Sequence, residues 1–233
     1  MTVMTHLSRK ENMKLKDREL PKYSLGEELM SSISHGAGAL LAIAALVVGV
    51  VLSVMYNDTW CVVSMAIYGS TLIVLYMMST MYHSLTAKTP KKVFRIIDHC
   101  AIFLLIAGTE TPITLVTLRR GPLGWVLFGV VWAAAAVGVT LNAIDLKRFD
   151  RFSMICYLAM GFAILAAFVP LSSKLGFGGM ALLLSGGLSY TIGAALYGIG
   201  RKKKYFHSIF HIFVLAGSYL QFFCILFYVV LAK

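Results

Sequence analysis

Six stretches of this chain contain no aspartate, glutamate, lysine or arginine: residues 29–57, 59–87, 121–144, 152–173, 175–200 and 205–232. Each exceeds the roughly 20 residues an α-helix needs to cross a hydrocarbon core. A further apolar segment, 93–118, carries two acids, Asp98 and Glu110. Strands of a membrane barrel would alternate in polarity over about 10 residues, and no segment here does so. The pattern predicts an all-α membrane protein, a seven-transmembrane helix bundle with short connections. With 59% hydrophobic and 13% charged residues, the chain has too little charge to clothe a soluble domain. A disordered chain is excluded on the same ground. The formal charge of +11 is split into short clusters between apolar runs, so no single basic face is offered to nucleic acid.

The expected organisation is a tail over 1–28 followed by a transmembrane domain over 29–233. Its helices are predicted near 29–55, 60–83, 93–118, 122–144, 152–171, 176–200 and 206–232. The first apolar run is longer than the roughly 7–15 residues of a secretory signal, which predicts an uncleaved first helix. Lysine and arginine alternate between the two sides. Seventeen fall in the tail (Arg9, Lys10, Lys14, Lys16, Arg18, Lys22) and in the clusters Lys88–Arg95, Lys147–Arg151 and Arg201–Lys204; four fall on the other side, at Arg119, Arg120, Lys174 and Lys233. The excess predicts a cytoplasmic N-terminus and an external C-terminus. Trp60 and Trp125 then sit at outer helix ends, where aromatic rings favour the interface. Cys61, Cys100, Cys156 and Cys224 are isolated in sequence and read as small core residues.

Ionisable groups are costly in a bilayer, so those within the spans are the candidates for function. Ser79 and His83 share one face of the second segment, four residues apart. His207 and His211 repeat that spacing in the last segment, where it can direct two imidazoles at one metal. Asp98-His99 opens the third segment, and Glu27, Glu28 and His35 lie early in the first. With each segment crossing once, all four sets fall at one depth, inside the cytoplasmic leaflet.

Two readings of that layer stand side by side. In one, His83, His207 and His211 bind zinc, which at catalytic sites commonly takes three protein ligands and keeps a fourth position open. Asp98 then orients an imidazole or takes a proton, and Ser79 hydrogen-bonds water or substrate. In the other, the histidines make polar contacts between helices, and Ser79 bonds its own backbone. His35 and His99 read as interhelical hydrogen-bonding residues. Glu27 and Glu28 read as acids starting a helix at its positive dipole end.

Taken together, Gly26-Glu27-Glu28, Ser32-Ile33-Ser34-His35-Gly36, Ser79-x-x-x-His83, Asp98-His99-x-Ala101-Ile102-Phe103, Ala107-Gly108-Thr109 and His207-x-x-x-His211 resemble the bacterial hemolysin III proteins. These form the prokaryotic branch of the progestin and adipoQ receptor family, and the resemblance covers about 24–232. It implies a seven-helix bundle with a cytoplasmic amino terminus. It also implies zinc held by His83, His207 and His211, with Ser79 and Asp98 close by. The adiponectin receptors of that family are associated with ceramide hydrolysis, and the bacterial branch with membrane-lipid homeostasis. Two positions depart from the pattern: Ser31 stands where asparagine is usual, and Glu110 where tyrosine is usual. Glu110 lies about 18 Å along an ideal helix from Asp98, too far to join the metal site. It reads either as lining a substrate or water path, or as an acid bonded to a neighbouring helix near Pro112.

Three functions follow as expectations. The first is a zinc-dependent hydrolase of a membrane lipid amide or ester, ceramide-like or another acyl lipid, acting in the cell membrane. The second is a receptor or lipid-sensing regulator in which zinc is a structural clamp. The third is a haemolysin-like membrane-active protein, which the absence of a cleavable signal and of a long amphipathic insertion segment argues against.

Overall fold

A computed structural model of the protein describes residues 19–200 and 203–232. Most of the expected tail, Arg201, Lys202 and Lys233 therefore lie outside the described residues. Among those described there is no β-strand, and five helical stretches are long and apolar enough to cross a membrane.

The first helix, α1 (Leu25–Tyr56), begins with a capping box. The Glu27 N–H donates to Ser24 Oγ at 3.4 Å, and the Ser24 N–H donates to Glu27 Oε2 at 2.9 Å. A two-residue turn, Asn57-Asp58, reverses the chain into α2 (Thr59–Ser84), with Asp58 as its N-cap. The third helix, α3 (Lys88–Pro112), passes into a π-helical turn, Ile113–Thr117. Pro112 has no N–H to continue the ladder, and Thr114 Oγ1 donates to the Glu110 carbonyl at 2.8 Å.

Next come α4 (Pro122–Ala163), a 3-10 turn over Ile164–Ala167, and α5 (Phe168–Gly200). The chain is helical across both connections predicted here, apart from two residues. At Asp145 the backbone leaves the helical region (φ −155°, ψ 93°), and its Oδ1 accepts from the Arg148 N–H at 3.1 Å, starting a new helix. Ser153 Oγ donates to Asn142 Oδ1 at 2.6 Å although 11 residues separate them. A continuous helix would hold those residues about 16 Å apart, so the two halves of α4 fold back on each other. The second break is at Gly176 (φ 62°), two residues beyond the predicted one at Lys174. Lysine and arginine are good helix formers, so their clusters mark where charge sits rather than where a helix stops. The chain closes with α6 (Phe206–Ile225) and a π-helical turn, Leu226–Val230.

Packing follows the logic of a chain surrounded by lipid. On α1, Ser31, His35, Gly38, Ala42, Gly49 and Ser53 are buried, whereas Leu40, Val47, Val51 and Val54 are exposed. Small residues let helices approach closely where there is no hydrophobic drive between them. A Cβ on Gly69 of α2 would stand 2.9 Å from the backbone Cα of Leu46 on α1. The core itself is built from Tyr68, Leu72 and Leu75 of α2, Leu171 and Leu175 of α5, and Cys224 and Ile225 of α6. Asn57 Nδ2 donates to the carbonyls of Val229 and Val230 at 3.1 Å, tying the end of α1 to the end of the chain. The beginnings of α1 and α6 meet at the opposite end of the bundle.

Candidate metal centre

The register between α1 and α6 is set by polar contacts at their first turns. The Glu27 carboxylate that caps α1 also accepts from the Tyr205 N–H at 2.8 Å, holding Tyr205 in a left-handed conformation (φ 66°) just before α6. Ser208 Oγ donates to the Glu27 carbonyl at 3.0 Å and receives a hydrogen bond from Ser31 Oγ at 3.1 Å. His207 lies between these anchors, so its position is fixed from both sides.

From there the imidazoles converge. His83 near the end of α2 and His207 and His211 on the first two turns of α6 are all buried, and their ligand nitrogens lie within 4.8 Å of one another. His207 Nε2 stands 3.4 Å from His83 Nε2 and 3.1 Å from His211 Nε2. A tetrahedral zinc with nitrogens at about 2.0–2.1 Å separates neighbouring ligand atoms by about 3.3 Å; two of the pairs match that spacing and all three lie within 4.8 Å, close enough to hold one metal ion.

Protonation supports the same reading. Glu28 on α1 accepts a hydrogen bond from His83 Nδ1 at 2.7 Å. In the neutral ring this leaves His83 Nε2 as a lone pair facing the cluster. One N–H on His207 Nε2 serves only one of its two neighbours well, whereas a cation satisfies all three nitrogens together. Glu28 is held in turn by Lys91 Nζ at 2.8 Å, and Lys91 also donates to the Leu85 carbonyl at 3.0 Å. A carboxylate behind a ligating histidine is the usual device for fixing its tautomer and ring orientation.

Aromatic rings close the site. Tyr23, just ahead of α1, stacks on His207 with centroids 4.7 Å apart. Burial, with Tyr197 and Glu28 nearby, pushes its phenol pKa up. His35 lies with its ring centroid 3.9 Å from that of His211, and its Nε2 is 3.4 Å from the His211 carbonyl, the interhelical contact expected of it. His99 is not one of the three clustered ligands; it lines the cavity beside them, its carbonyl accepting from Tyr157 OH at 2.7 Å.

Beside the histidines opens a cavity of about 310 Å³, lined by His35, Ser79, Asp98, His207 and His211 at this end. Ser79 Oγ makes no hydrogen bond to its own helix, and Ser79 and Asp98 line the cavity together. Asp98 lines the cavity next to the cluster without being one of the three ligands. Glu110 lines the same cavity further along α3, buried, with neither carboxyl oxygen bonded to a described residue. The reading in which it pairs with a neighbouring helix is thereby set aside. Phe162, Leu184 and Leu188 line the cavity and are also 49%, 42% and 60% exposed, so its wall between α4 and α5 is open on the outer surface.

The sequence pattern alone presents Glu27 and Glu28 alike as helix-starting acids and gives Tyr23 no role, whereas Glu27 completes a capping box and Glu28 meets His83. A signal for Glu28 was present. It precedes His35 by seven residues, two helical turns, and so shares the inward face of α1.

Comparison with protein-family profiles matches residues 23–222 to the family described as Haemolysin-III related. The chain is 42% identical to Hemolysin-3 of Bacillus cereus over 203 residues, 87% of this chain and 92% of that protein. It is 42% identical to the Hemolysin-3 homolog of Bacillus subtilis (strain 168) over 208 residues, 89% of this chain and 97% of the other. Similarity extends at 26% identity over 195 residues to Monocyte to macrophage differentiation factor of Homo sapiens, covering 80% of this chain and 79% of that one.

Proposed function

The chain belongs to the Haemolysin-III related family, and we propose that it is a zinc-dependent hydrolase of a lipid amide or ester. It is a multi-pass protein of the cell membrane. The reading is of seven spans with the N-terminus in the cytoplasm. Support comes from the fold-back at Asp145 and the break at Gly176, which divide Pro122–Gly200 into three segments, and from the alternation of basic clusters. The metal centre then lies beneath the inner headgroups.

The observation that carries the proposal is the meeting of three imidazole nitrogens from α2 and α6, one ring oriented by Glu28, at one end of a cavity. When bound there, zinc would supply Lewis acidity and a lowered water pKa of about 7. The chain's own groups do the rest. His83, His207 and His211 would hold the ion, and Glu28 with Lys91 behind it fixes the tautomer of His83. Asp98 takes a proton from the attacking water and returns it to the leaving nitrogen or oxygen as the carbonyl carbon exchanges that bond for one to the water oxygen. Ser79 Oγ donates to the substrate oxygen or positions the water. The gap between α4 and α5 admits the acyl chain laterally from the bilayer.

Metal analysis of the purified protein and its His207→Ala variant tests the site. Mass spectrometry of lipids incubated with each tests the reaction. Zinc near one equivalent in the parent and its loss in the variant are expected, as is a lipid product from the parent alone. Asp98→Ala is expected to keep the metal and lose turnover; undiminished turnover removes Asp98 from the mechanism. A second reading, a non-catalytic clamp, is favoured by one feature: Glu28, His83 and the α6 histidines tie the first, second and last helices together. Under it, chelation lowers the melting temperature and no lipid product forms.

A further inference from the structure

The cavity beside the histidines is polar at both ends. On α3, Asp98 and Glu110 both line it, twelve residues apart and so about 18 Å along the helix. On α6, His211 and Gln221 both line it, ten residues and about 15 Å apart. Both helices run away from the histidine cluster, so Glu110 and Gln221 sit at its remote end. Between the two ends the lining is mostly apolar, with Leu75, Leu105, Ile106, Leu158, Leu184 and Val214, interrupted by Tyr190 and Thr191.

That remote end is rich in unused acceptors. Glu110 is 6% exposed and Gln221 5% exposed. Neither Oε1 nor Oε2 of Glu110 has a partner among the described residues, and nor does Oε1 of Gln221. The Gln221 amide is held in place, because its Nε2 donates to the Leu183 carbonyl at 3.0 Å and it packs into the space that Gly186 leaves, where a Cβ would stand 2.8 Å from Nε2. Its oxygen is therefore presented rather than free to turn. Three buried acceptor atoms without a donor are expensive in a bilayer interior, and the surrounding side chains offer them nothing.

We propose that Glu110 and Gln221 form a second polar subsite that receives a hydrogen-bond donor, a hydroxyl or amino group, at the far end of an elongated amphiphile whose other polar group lies at the histidine cluster. The ligand class is a chain bearing polar groups at both ends, about 15–18 Å apart by the helical rise. The inference rests on the functional reading above for the histidine end alone; the remote end stands on its own unpaired oxygens.

Calorimetric titration of the zinc-loaded full-length protein in nanodiscs separates the two. The probes are dodecanoic acid, ω-hydroxydodecanoic acid and ω-aminododecanoic acid, each titrated with and without a chelator. The parent is expected to bind at least one ω-substituted acid about tenfold more tightly than dodecanoic acid, the value of one or two hydrogen bonds to buried acceptors. Glu110→Leu and Gln221→Leu should each reduce that preference while leaving dodecanoic acid binding unchanged. Glu110→Gln, which keeps size and an acceptor, should retain a preference for the hydroxyl and lose any preference for the amine; it carries the test if the leucine variant does not fold. Equal binding of the three acids to the parent, or a preference untouched by every variant, overturns the subsite. A preference that survives chelation with all affinities unchanged overturns the metal end and leaves the subsite standing. Failure of all three acids to bind the parent overturns both.

Discussion

Removing the Glu28 carboxylate tests whether the histidine cluster is a metal site organised from behind. His83 is 1% exposed at its side chain and Glu28 17%, and the Nδ1–Oε2 distance is 2.7 Å, a short charge-assisted contact. Without it the His83 ring is free to take the other tautomer, which turns an N–H toward the ion. Loss of such a partner typically lowers metal affinity about 10–100-fold, or about 1.4–2.8 kcal/mol at ten-fold per 1.4 kcal/mol. Glu28→Ala should therefore weaken zinc binding by that factor, measured by competition with a chromophoric chelator of known affinity. Lys91→Ala is the control: it removes the 2.8 Å contact to the other carboxylate oxygen but leaves the Glu28–His83 contact in place, so a smaller loss is expected. A parent that binds zinc and a Glu28→Ala variant within twofold of it would refute the assignment of Glu28 as the orienting group.

Two further predictions concern the frame that holds the site. Partial burial pulls the Asp58 carboxyl up, and the hydrogen bond and charge of Arg119 with the Cys61 N–H outweigh it, holding Asp58 below the usual carboxylate range. Its contribution is thus complete above the unfolded-chain value of about 3.9 and fades as pH falls through and below it. Asp58→Asn should melt earlier than the parent at neutral pH, with the gap closing below about pH 4; a gap of constant size there contradicts the account. Asp58→Ala, which also removes the cap, should cost about 1 kcal/mol, read by thermal unfolding in detergent. Gly69→Ala places a Cβ 2.9 Å from the Leu46 backbone, where neither helix gives way cheaply. About 1–3 kcal/mol of destabilisation is expected, and a melting temperature equal to the parent's would show that α1 and α2 can separate at no cost.

Hydropathy is a local property, and what depends on it was legible in the chain. Membrane insertion, the helical class and the near-common depth of His83, Asp98, His207 and His211 follow from run lengths and from the reversal of direction at each crossing. So does the i, i+4 pair on α6, because a helix fixes which residues share a face. Less legible were the breaks. Asp145 stops a helix by accepting the Arg148 N–H, and Gly176 does so by a backbone angle, while the neighbouring basic residues continue the helix.

Tertiary structure alone decided which neighbours those residues meet. Glu28 is 55 residues from His83, and His83 is 124 from His207. No periodicity links such positions; they come together because Glu27, Ser31, Tyr205 and Ser208 lock the first turns of α1 and α6 side by side. The same holds for the far end of the cavity. That Glu110 is an acid within an apolar run is visible in the sequence, but that it lines a cavity shared with an equally unpaired Gln221 depends on how α3 and α6 rotate about their axes, which is set by packing between helices.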